Sequence, residues 1–120
     1  AHQGLTELIV VSGMHERKQV MSDRADGFVA LPGGIGTLEE IFEMISWAQL
    51  GVHSKPCAFL NVNGYYDKLI EFLDHSVQQG LMRQQIRQMI LVDSDPERLL
   101  LSLEQYCSPV KHRWVEQAET

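Results

Sequence analysis

The stretch Leu31-Pro32-Gly33-Gly34-Ile35-Gly36-Thr37-Leu38-Glu39-Glu40 joins an apolar run to an amphipathic pattern. The apolar residues 27–31 predict a strand, and the apolar spacing of three and four that follows the glycines predicts a helix. Three glycines within four positions predict a tight loop whose backbone a ligand can approach closely. The N–H groups of this loop and the positive end of the helix dipole would converge on one point. The stretch therefore predicts an anion site, most naturally for phosphate.

The same residues also fit a purely structural role. Thr37-Leu38-Glu39-Glu40 matches the S/T-x-x-E capping box, in which Glu40 closes the first helical turn. Pro32-Gly33-Gly34 is common turn chemistry. Neither nucleotide-binding glycine fingerprint is present, because the stretch has no G-x-G-x-x-G and no lysine followed by serine or threonine. From the residues alone, a phosphate-binding loop and a well-capped turn both stay open.

Composition and charge exclude several classes of protein. The chain has 120 residues, of which 44% are hydrophobic and 22% charged, and its net charge is −6. Nucleic acid is not an expected partner, because binding to a phosphate backbone favours a basic surface. No apolar run approaches the ~20 residues of a membrane span, and no signal-peptide pattern opens the chain. Cys57 and Cys107 lack metal-ligand spacing. We therefore expect a cytoplasmic protein without membrane contact, metal or organic cofactor.

Strand and helix patterns alternate four times along the chain. The apolar runs predict strands over residues 8–11, 28–31, 57–60 and 89–92. One-sided apolar patterns predict helices over residues 14–25, from 37 to about 50, from 63 to 80 and from 95 to 106. Such alternation is typical of an α/β fold with a mainly parallel sheet that helices cover on both faces.

A second polar segment, Met14-His15-Glu16-Arg17-Lys18, follows the first predicted strand as the glycine loop follows the second. In parallel α/β sheets, ligands bind where the strands end. The two loops are therefore expected to share a site, with Arg17 and Lys18 close to a bound phosphate. A solvated helix face is the alternative explanation of these two residues, and spacing alone favours it.

The two segments together resemble the paired MxxRK and PGGxGTxxE motifs of the LONELY GUY family, in Gly13–Lys18 and Pro32–Glu40. These are cytokinin-activating nucleoside 5′-monophosphate phosphoribohydrolases, long labelled lysine decarboxylase-like. The resemblance extends from about residue 4 to residue 106. It implies a Rossmann-like, three-layer fold in one domain over residues 1–108, the C-terminal part of the family's fold. The polar residues after Pro109 predict a tail over residues 109–120. The resemblance also implies a homodimer with Trp47 and Leu50 near the contact.

The implied reaction is hydrolysis of the N-glycosidic bond of AMP or of a cytokinin riboside monophosphate, giving free base and ribose 5-phosphate. Arg17 and Glu40 match the catalytic arginine and glutamate of the family. A carboxylate suits this reaction, because it can stabilise an oxocarbenium-like state and orient a water molecule. The positions that match substrate contacts are Met14, Lys18, Gly33, Gly34, Ile35, Gly36, Thr37, Leu38 and Glu39, and Ser46 stands where relatives often have threonine.

The sequence also departs from the family pattern. Relatives begin with about three further β–α units, and nothing in this sequence matches them. We therefore expect either a fragment or a shortened relative with a half-built pocket. The alternative function is a non-catalytic nucleotide-binding or molybdenum-cofactor carrier module, or a truncated inactive relative. The presence of both Arg17 and Glu40 favours the enzyme. A lysine decarboxylase is not expected, because no lysine has the context of a Schiff base.

Overall fold

The structure, a computed structural model, describes residues 7–13 and 18–109, without the side chain of Lys18. The elements in chain order are β1 (Leu8–Val11), α1 (Lys18–Arg24), β2 (Gly27–Ala30), α2 (Ile35–Gln49), β3 (Cys57–Leu60), a 3₁₀ turn (Val62–Gly64), α3 (Asp67–Gln78), α4 (Gln84–Gln88), β4 (Ile90–Asp93) and α5 (Pro96–Gln105).

The four strands form one parallel sheet in the order β1-β2-β3-β4. Leu8 of β1 lies opposite Gly27, Phe28 opposite Cys57, and Cys57 opposite Ile90, so neighbouring strands begin at nearly the same level. Because all strands are parallel, their carboxyl ends lie at one edge of the sheet. The segments that follow β1, β2 and β3 therefore leave the sheet at that edge.

Helices cover both faces of the sheet. A core joins one face to α1, α2 and α3, and its fully buried large side chains are Met21, Phe28, Ile41, Met44 and Phe59. A second core joins the other face to α5, and its buried members are Val29, Ala58, Leu99 and Leu103. These three layers confirm the predicted α/β fold of the Rossmann-like kind. No helix within the described ranges is long and apolar enough to cross a lipid bilayer.

Some predicted helix boundaries are wrong. Helix α2 begins at Ile35, with Gly34 as its N-cap, so Thr37 is its third residue and not the residue before it. Helix α3 begins at Asp67, because Asn63 and Gly64 have φ angles of 52° and 71°. A right-handed helix cannot run through left-handed residues. The short helix α4 was not predicted; its Ile86 packs with Ala48 and Met89 in a small separate cluster.

Candidate active site

The glycine loop, residues 31–36, connects β2 to α2 at the carboxyl edge of the sheet. The N–H of Leu38 bonds to the carbonyl of Gly34 at 3.0 Å, which closes the first turn of α2. The N–H groups within that turn have no carbonyl partner inside the helix. Every residue of the turn is described, and it contains neither an acidic side chain nor a side-chain cap. Within its own first turn, α2 thus has no group that neutralises the positive end of its dipole, and such a helix start is suited to an anion.

The glycine loop packs closely against the first turn of α2. Thr37 is buried, and its side chain fills the space in which a Cβ on Gly33 would stand. A Cβ on Gly34, in contrast, would meet no atom within 4 Å. Gly33 thus allows the close packing of the loop, while Gly34 borders open space next to the first-turn N–H groups of α2.

The loop after β1 contacts the start of α2 backbone to backbone. Gly13 has a φ of +82°, and a Cβ built on it would lie 3.1 Å from the Cα of Gly36. A Cβ built on Gly36 would lie 3.0 Å from the Cα of Gly13. Such an approach leaves no room for a side chain on either residue. The structure therefore brings the two predicted loops together, as far as the first loop is described.

Glu40 of α2 bonds to the same loop. Its Oε1 accepts hydrogen bonds from the backbone N–H groups of Ser12 at 3.1 Å and Gly13 at 2.5 Å. Glu40 is 6% exposed. The capping-box interpretation is wrong, because α2 begins before Thr37 and the carboxylate bonds to another loop instead. Since both hydrogen bonds use Oε1, Oε2 is without a partner among the described residues.

Two tyrosines hold the glycine loop from the side of β3. The hydroxyl of Tyr65 donates to the carbonyl of Gly33, and that of Tyr66 donates to the carbonyl of Leu31, each at 2.6 Å. The pKa of Tyr66 lies above its usual range, because its hydroxyl is desolvated and stands beside Tyr65, although a hydrogen bond from the Gly33 backbone acts against this. Neither tyrosine is among the site residues predicted from the sequence. Their position just after β3, at the same edge as the glycine loop, was the signal that could have found them.

The other predicted contact residues occupy different surroundings. Ile35 is 83% exposed at the start of α2, and Leu38 packs against the main core. Glu39 is exposed. Ser46 is exposed and comes nine positions after Thr37, so it lies about 13 Å further along α2 and on the opposite side of the helix. The structure does not bring Ser46 to the glycine loop within one chain.

The arginine–lysine motif, Met14–Lys18, lies only partly within the described residues. Met14 and Arg17 lie outside the described residues, and Lys18 is described only as the first residue of α1. Their roles stay predictions. The described chain before them ends at Gly13, in contact with Gly36, so the motif follows directly from the loop that Glu40 binds.

A separate cavity of about 380 Å³ lies at the opposite edge of the sheet, where the strands begin. His53 and Lys55 line it, together with Ser22 and Asp23 at the end of α1. His53 is buried; its Nε2 bonds to the carbonyl of Met44 at 2.9 Å, and its Nδ1 accepts the Lys55 N–H at 3.0 Å. These contacts give His53 a structural role. The described part of the chain contains no group of three metal-ligating side chains.

Fold and loop geometry define the class of protein: a parallel α/β domain with a glycine loop and a helix N-terminus at the carboxyl edge of its sheet, an arrangement suited to phosphate groups. A sequence profile of the family described as "Possible lysine decarboxylase" matches residues 1–103. The chain belongs to this family. That result confirms the predicted resemblance, since the relatives in this family include the phosphoribohydrolases described next.

The chain is 50% identical over 100 residues to cytokinin riboside 5′-monophosphate phosphoribohydrolase LOG of Oryza sativa subsp. japonica. The matched region covers 83% of this chain and 41% of that relative. It is 46% identical over 104 residues to cytokinin riboside 5′-monophosphate phosphoribohydrolase LOG2 of Arabidopsis thaliana, and the match covers 87% of this chain and 49% of that relative. It is 45% identical over 103 residues to cytokinin riboside 5′-monophosphate phosphoribohydrolase of Rhodococcoides fascians, and the match covers 86% of this chain and 52% of that relative. The chain thus spans about half the length of the curated relatives it matches.

Proposed function

We propose that this chain carries the phosphate-binding loop and the catalytic carboxylate of a nucleoside 5′-monophosphate phosphoribohydrolase. The proposed substrate is AMP or a cytokinin riboside 5′-monophosphate, and the products are the free base and ribose 5-phosphate. The names of the similar proteins support this reaction. The observation that carries the proposal is the bond between Glu40 and Gly13. It joins the helix that opens at the glycine loop to the loop that leads to Arg17.

The reaction breaks the bond between C1′ of the ribose and a nitrogen of the base, and it forms a bond between C1′ and the oxygen of water. The electron pair of the broken bond moves to the base, which takes a proton, and the water loses one. Positive charge develops on the ribose ring during this exchange. In the proposed site, Oε2 of Glu40 stabilises that charge and orients the water, while Oε1 stays bonded to the loop.

Helix α2 is suited to hold both ends of a ribose 5-phosphate. The 5′-phosphate is proposed to bind the N–H groups of Gly34, Ile35, Gly36 and Thr37. Glu40 follows Ile35 by five positions, which is about 7.5 Å along the helix axis. One rigid element would then fix the phosphate and the carboxylate at a constant separation, which favours a reactive orientation of the ribose.

The arginine–lysine motif completes the proposed site. Arg17 supports the departing base or keeps Glu40 ionised, and a guanidinium fork suits either task. Met14 and Lys18 contact the nucleotide. Gly33 supports the loop through its close contact with Thr37, and Leu38 and Glu39 contribute as parts of the first turns of α2.

We further propose that the protein is a symmetric homodimer. Ser46 lies on the side of α2 that faces away from the glycine loop, so it can reach a nucleotide only across a contact between subunits. The same stretch of chain exposes Leu50, at 58%, and Val52, at 37%. Trp47 is packed partly against the main core. A contact at this end of α2 would cover apolar surface and make Ser46 a residue of the partner's site.

The cytoplasm is the proposed location. Cys57 and Cys107 do not form a disulfide bond. Burial raises the pKa of the Cys57 thiol, which disfavours the reactive thiolate. Reduced cysteines of this kind suit a reducing compartment.

The proposed function is tested by the requirement for a 5′-phosphate. The chain is incubated in EDTA with AMP, with N6-isopentenyladenosine monophosphate and with adenosine, and the free base is measured by chromatography. We expect base release from the two monophosphates and none above background from adenosine, since the phosphate supplies the binding energy at the glycine loop. Equal release from adenosine and AMP would contradict the phosphate site, and release from none of the three would contradict the function.

A further inference from the structure

The carbonyl groups of the glycine loop are fixed by two neighbouring hydroxyl groups that the proposed reaction does not use. Tyr65 donates to Gly33 and Tyr66 donates to Leu31, both at 2.6 Å. These distances are at the short end of the range for O–H···O hydrogen bonds. The two bonds look equivalent, but the peptide units that they hold are chemically different.

In a trans peptide unit, the C=O and the N–H point in opposite directions. The carbonyl of Gly33 shares its unit with the N–H of Gly34, so the bond from Tyr65 turns that N–H away from Tyr65. The carbonyl of Leu31 shares its unit with Pro32, which has no N–H. Tyr65 therefore orients the N–H of Gly34, a proposed phosphate donor. The hydroxyl of Tyr66 bonds to the Leu31 carbonyl and to the Gly33 backbone, and it orients none of the proposed donors.

The donor that Tyr65 orients stands at the proposed phosphate site. Gly34 is the N-cap of α2, directly before the first-turn N–H groups. The space beside its Cα is open, since a Cβ there would meet no atom within 4 Å. Successive N–H groups that face one side form a concave anion site. An N–H of Gly34 turned the other way would be lost from that site.

The ring of Tyr65 is held in position despite its exposure of 56%. It packs edge-to-face on Tyr66 with ring centroids 4.8 Å apart, and Tyr66 packs in the same manner on the buried Phe59 at 4.8 Å. The exposed hydroxyl is thus connected to the core through two aromatic rings. Such a chain of contacts limits the directions from which the hydroxyl can reach the loop.

The turn before the two tyrosines also has a constrained backbone conformation. Asn63 has a φ of 52° and Gly64 one of 71°. A left-handed φ is uncommon for a residue other than glycine. The side chain of Asn61 accepts the N–H of Tyr66 at 2.6 Å and donates to Asp67 at 2.7 Å. These bonds fix the turn that delivers both hydroxyls to the glycine loop.

We infer that Tyr65 is a positioning residue for the phosphate group of the nucleotide, acting through the peptide unit between Gly33 and Gly34. The inference rests on the proposed function for the identity of the ligand. Tyr65 does not touch the phosphate; it keeps the Gly34 N–H turned toward the anion. Tyr66 holds the same loop through its bond to Leu31, and that bond contributes to the stability of the fold.

The matched variants Tyr65→Phe and Tyr66→Phe each remove one hydroxyl from this arrangement. Inorganic phosphate is titrated into the ¹⁵N-labelled chain, the Gly34 amide resonance gives the Kd, and thermal unfolding gives the stability. Tyr65→Phe is expected to raise the Kd about three- to ten-fold, the effect of one hydrogen bond, with little change in Tm. Tyr66→Phe is expected to lower the Tm and to leave the Kd within about two-fold, because its hydroxyl bonds to the Leu31 carbonyl and to the Gly33 backbone, neither of which is among the proposed phosphate donors.

Unchanged phosphate affinity in Tyr65→Phe would overturn the inference, and so would equal weakening in the two variants. A Gly34 resonance of the unaltered chain that does not respond to phosphate would overturn it as well. The proposed function is decided by a different readout, the release of base from a nucleotide. A chain that binds phosphate as described but releases no base would end the proposed function and leave the role of Tyr65 in anion binding supported.

Discussion

The Oε1 of Glu40 accepts the backbone N–H of Gly13 at 2.5 Å, across 27 residues of sequence. This bond crosses from the second turn of α2 to the loop after β1, where the backbones of Gly13 and Gly36 are already in contact. The two loops at the carboxyl edge of the sheet therefore form one unit. A change on either side of the bond is expected to affect both loops.

The first prediction concerns the structural part of Glu40. Glu40→Ala leaves the N–H groups of Ser12 and Gly13 unpaired, and it should lower the free energy of unfolding by about 2–4 kcal/mol. Glu40→Gln keeps a carbonyl oxygen as acceptor and should cost less than about 1 kcal/mol. Urea unfolding of both variants measures the difference. Equal stability of the two variants would show that the hydrogen bonds to the loop contribute nothing.

The second prediction concerns the close approach of Gly13 to Gly36. Gly13→Ala combines a left-handed φ of +82° with a Cβ placed 3.1 Å from the Gly36 backbone. Gly80→Ala is the matched control, because Gly80 has a φ of +76° and no atom near its Cβ position. We expect a loss of about 1 kcal/mol for Gly80→Ala and about 2–3 kcal/mol for Gly13→Ala.

Thermal or urea unfolding measures both losses. If the two glycine variants lose the same stability, the left-handed backbone accounts for the whole effect. The contact between Gly13 and Gly36 would then have no energetic importance.

The alternating pattern of apolar runs was enough to predict the four strands and the position of the glycine loop. Strands buried from both sides depend on local composition, which a single sequence displays directly. The start of α2 was harder to predict, because Thr37 and Glu40 fit a capping box as well as they fit the first two turns of a helix that starts at Ile35. Local sequence does not distinguish these alternatives.

The partners of Glu40 and Gly33 could not be predicted for a different reason. Glu40 bonds to Ser12 and Gly13, and Gly33 bonds to Tyr65, 32 residues away. Such pairs form only once β1, β2 and β3 are placed side by side, which the sequence pattern does not specify in detail. The motif likeness located the carboxylate, while the sheet order explains what it binds.

The third prediction concerns the assembly. Leu50→Glu places a charge on the apolar surface at the end of α2 and should shift the protein from dimer to monomer, since a buried unpaired charge is strongly unfavourable. Leu101→Glu is the control, because Leu101 is 55% exposed on α5, which covers the opposite face of the sheet from α2. Sedimentation at micromolar concentration distinguishes the two states. A monomeric unaltered chain, or equal behaviour of the two variants, would contradict the proposed contact.

The most direct test of the account is the rate of base release by Glu40→Gln next to that of the unaltered chain, with N6-isopentenyladenosine monophosphate as substrate. Glutamine keeps the acceptor for Ser12 and Gly13 but carries no charge to stabilise the oxocarbenium-like state. We expect a folded variant whose turnover is lower by about a hundredfold or more, with inorganic phosphate still bound. Turnover equal to that of the unaltered chain would contradict the catalytic role of Glu40.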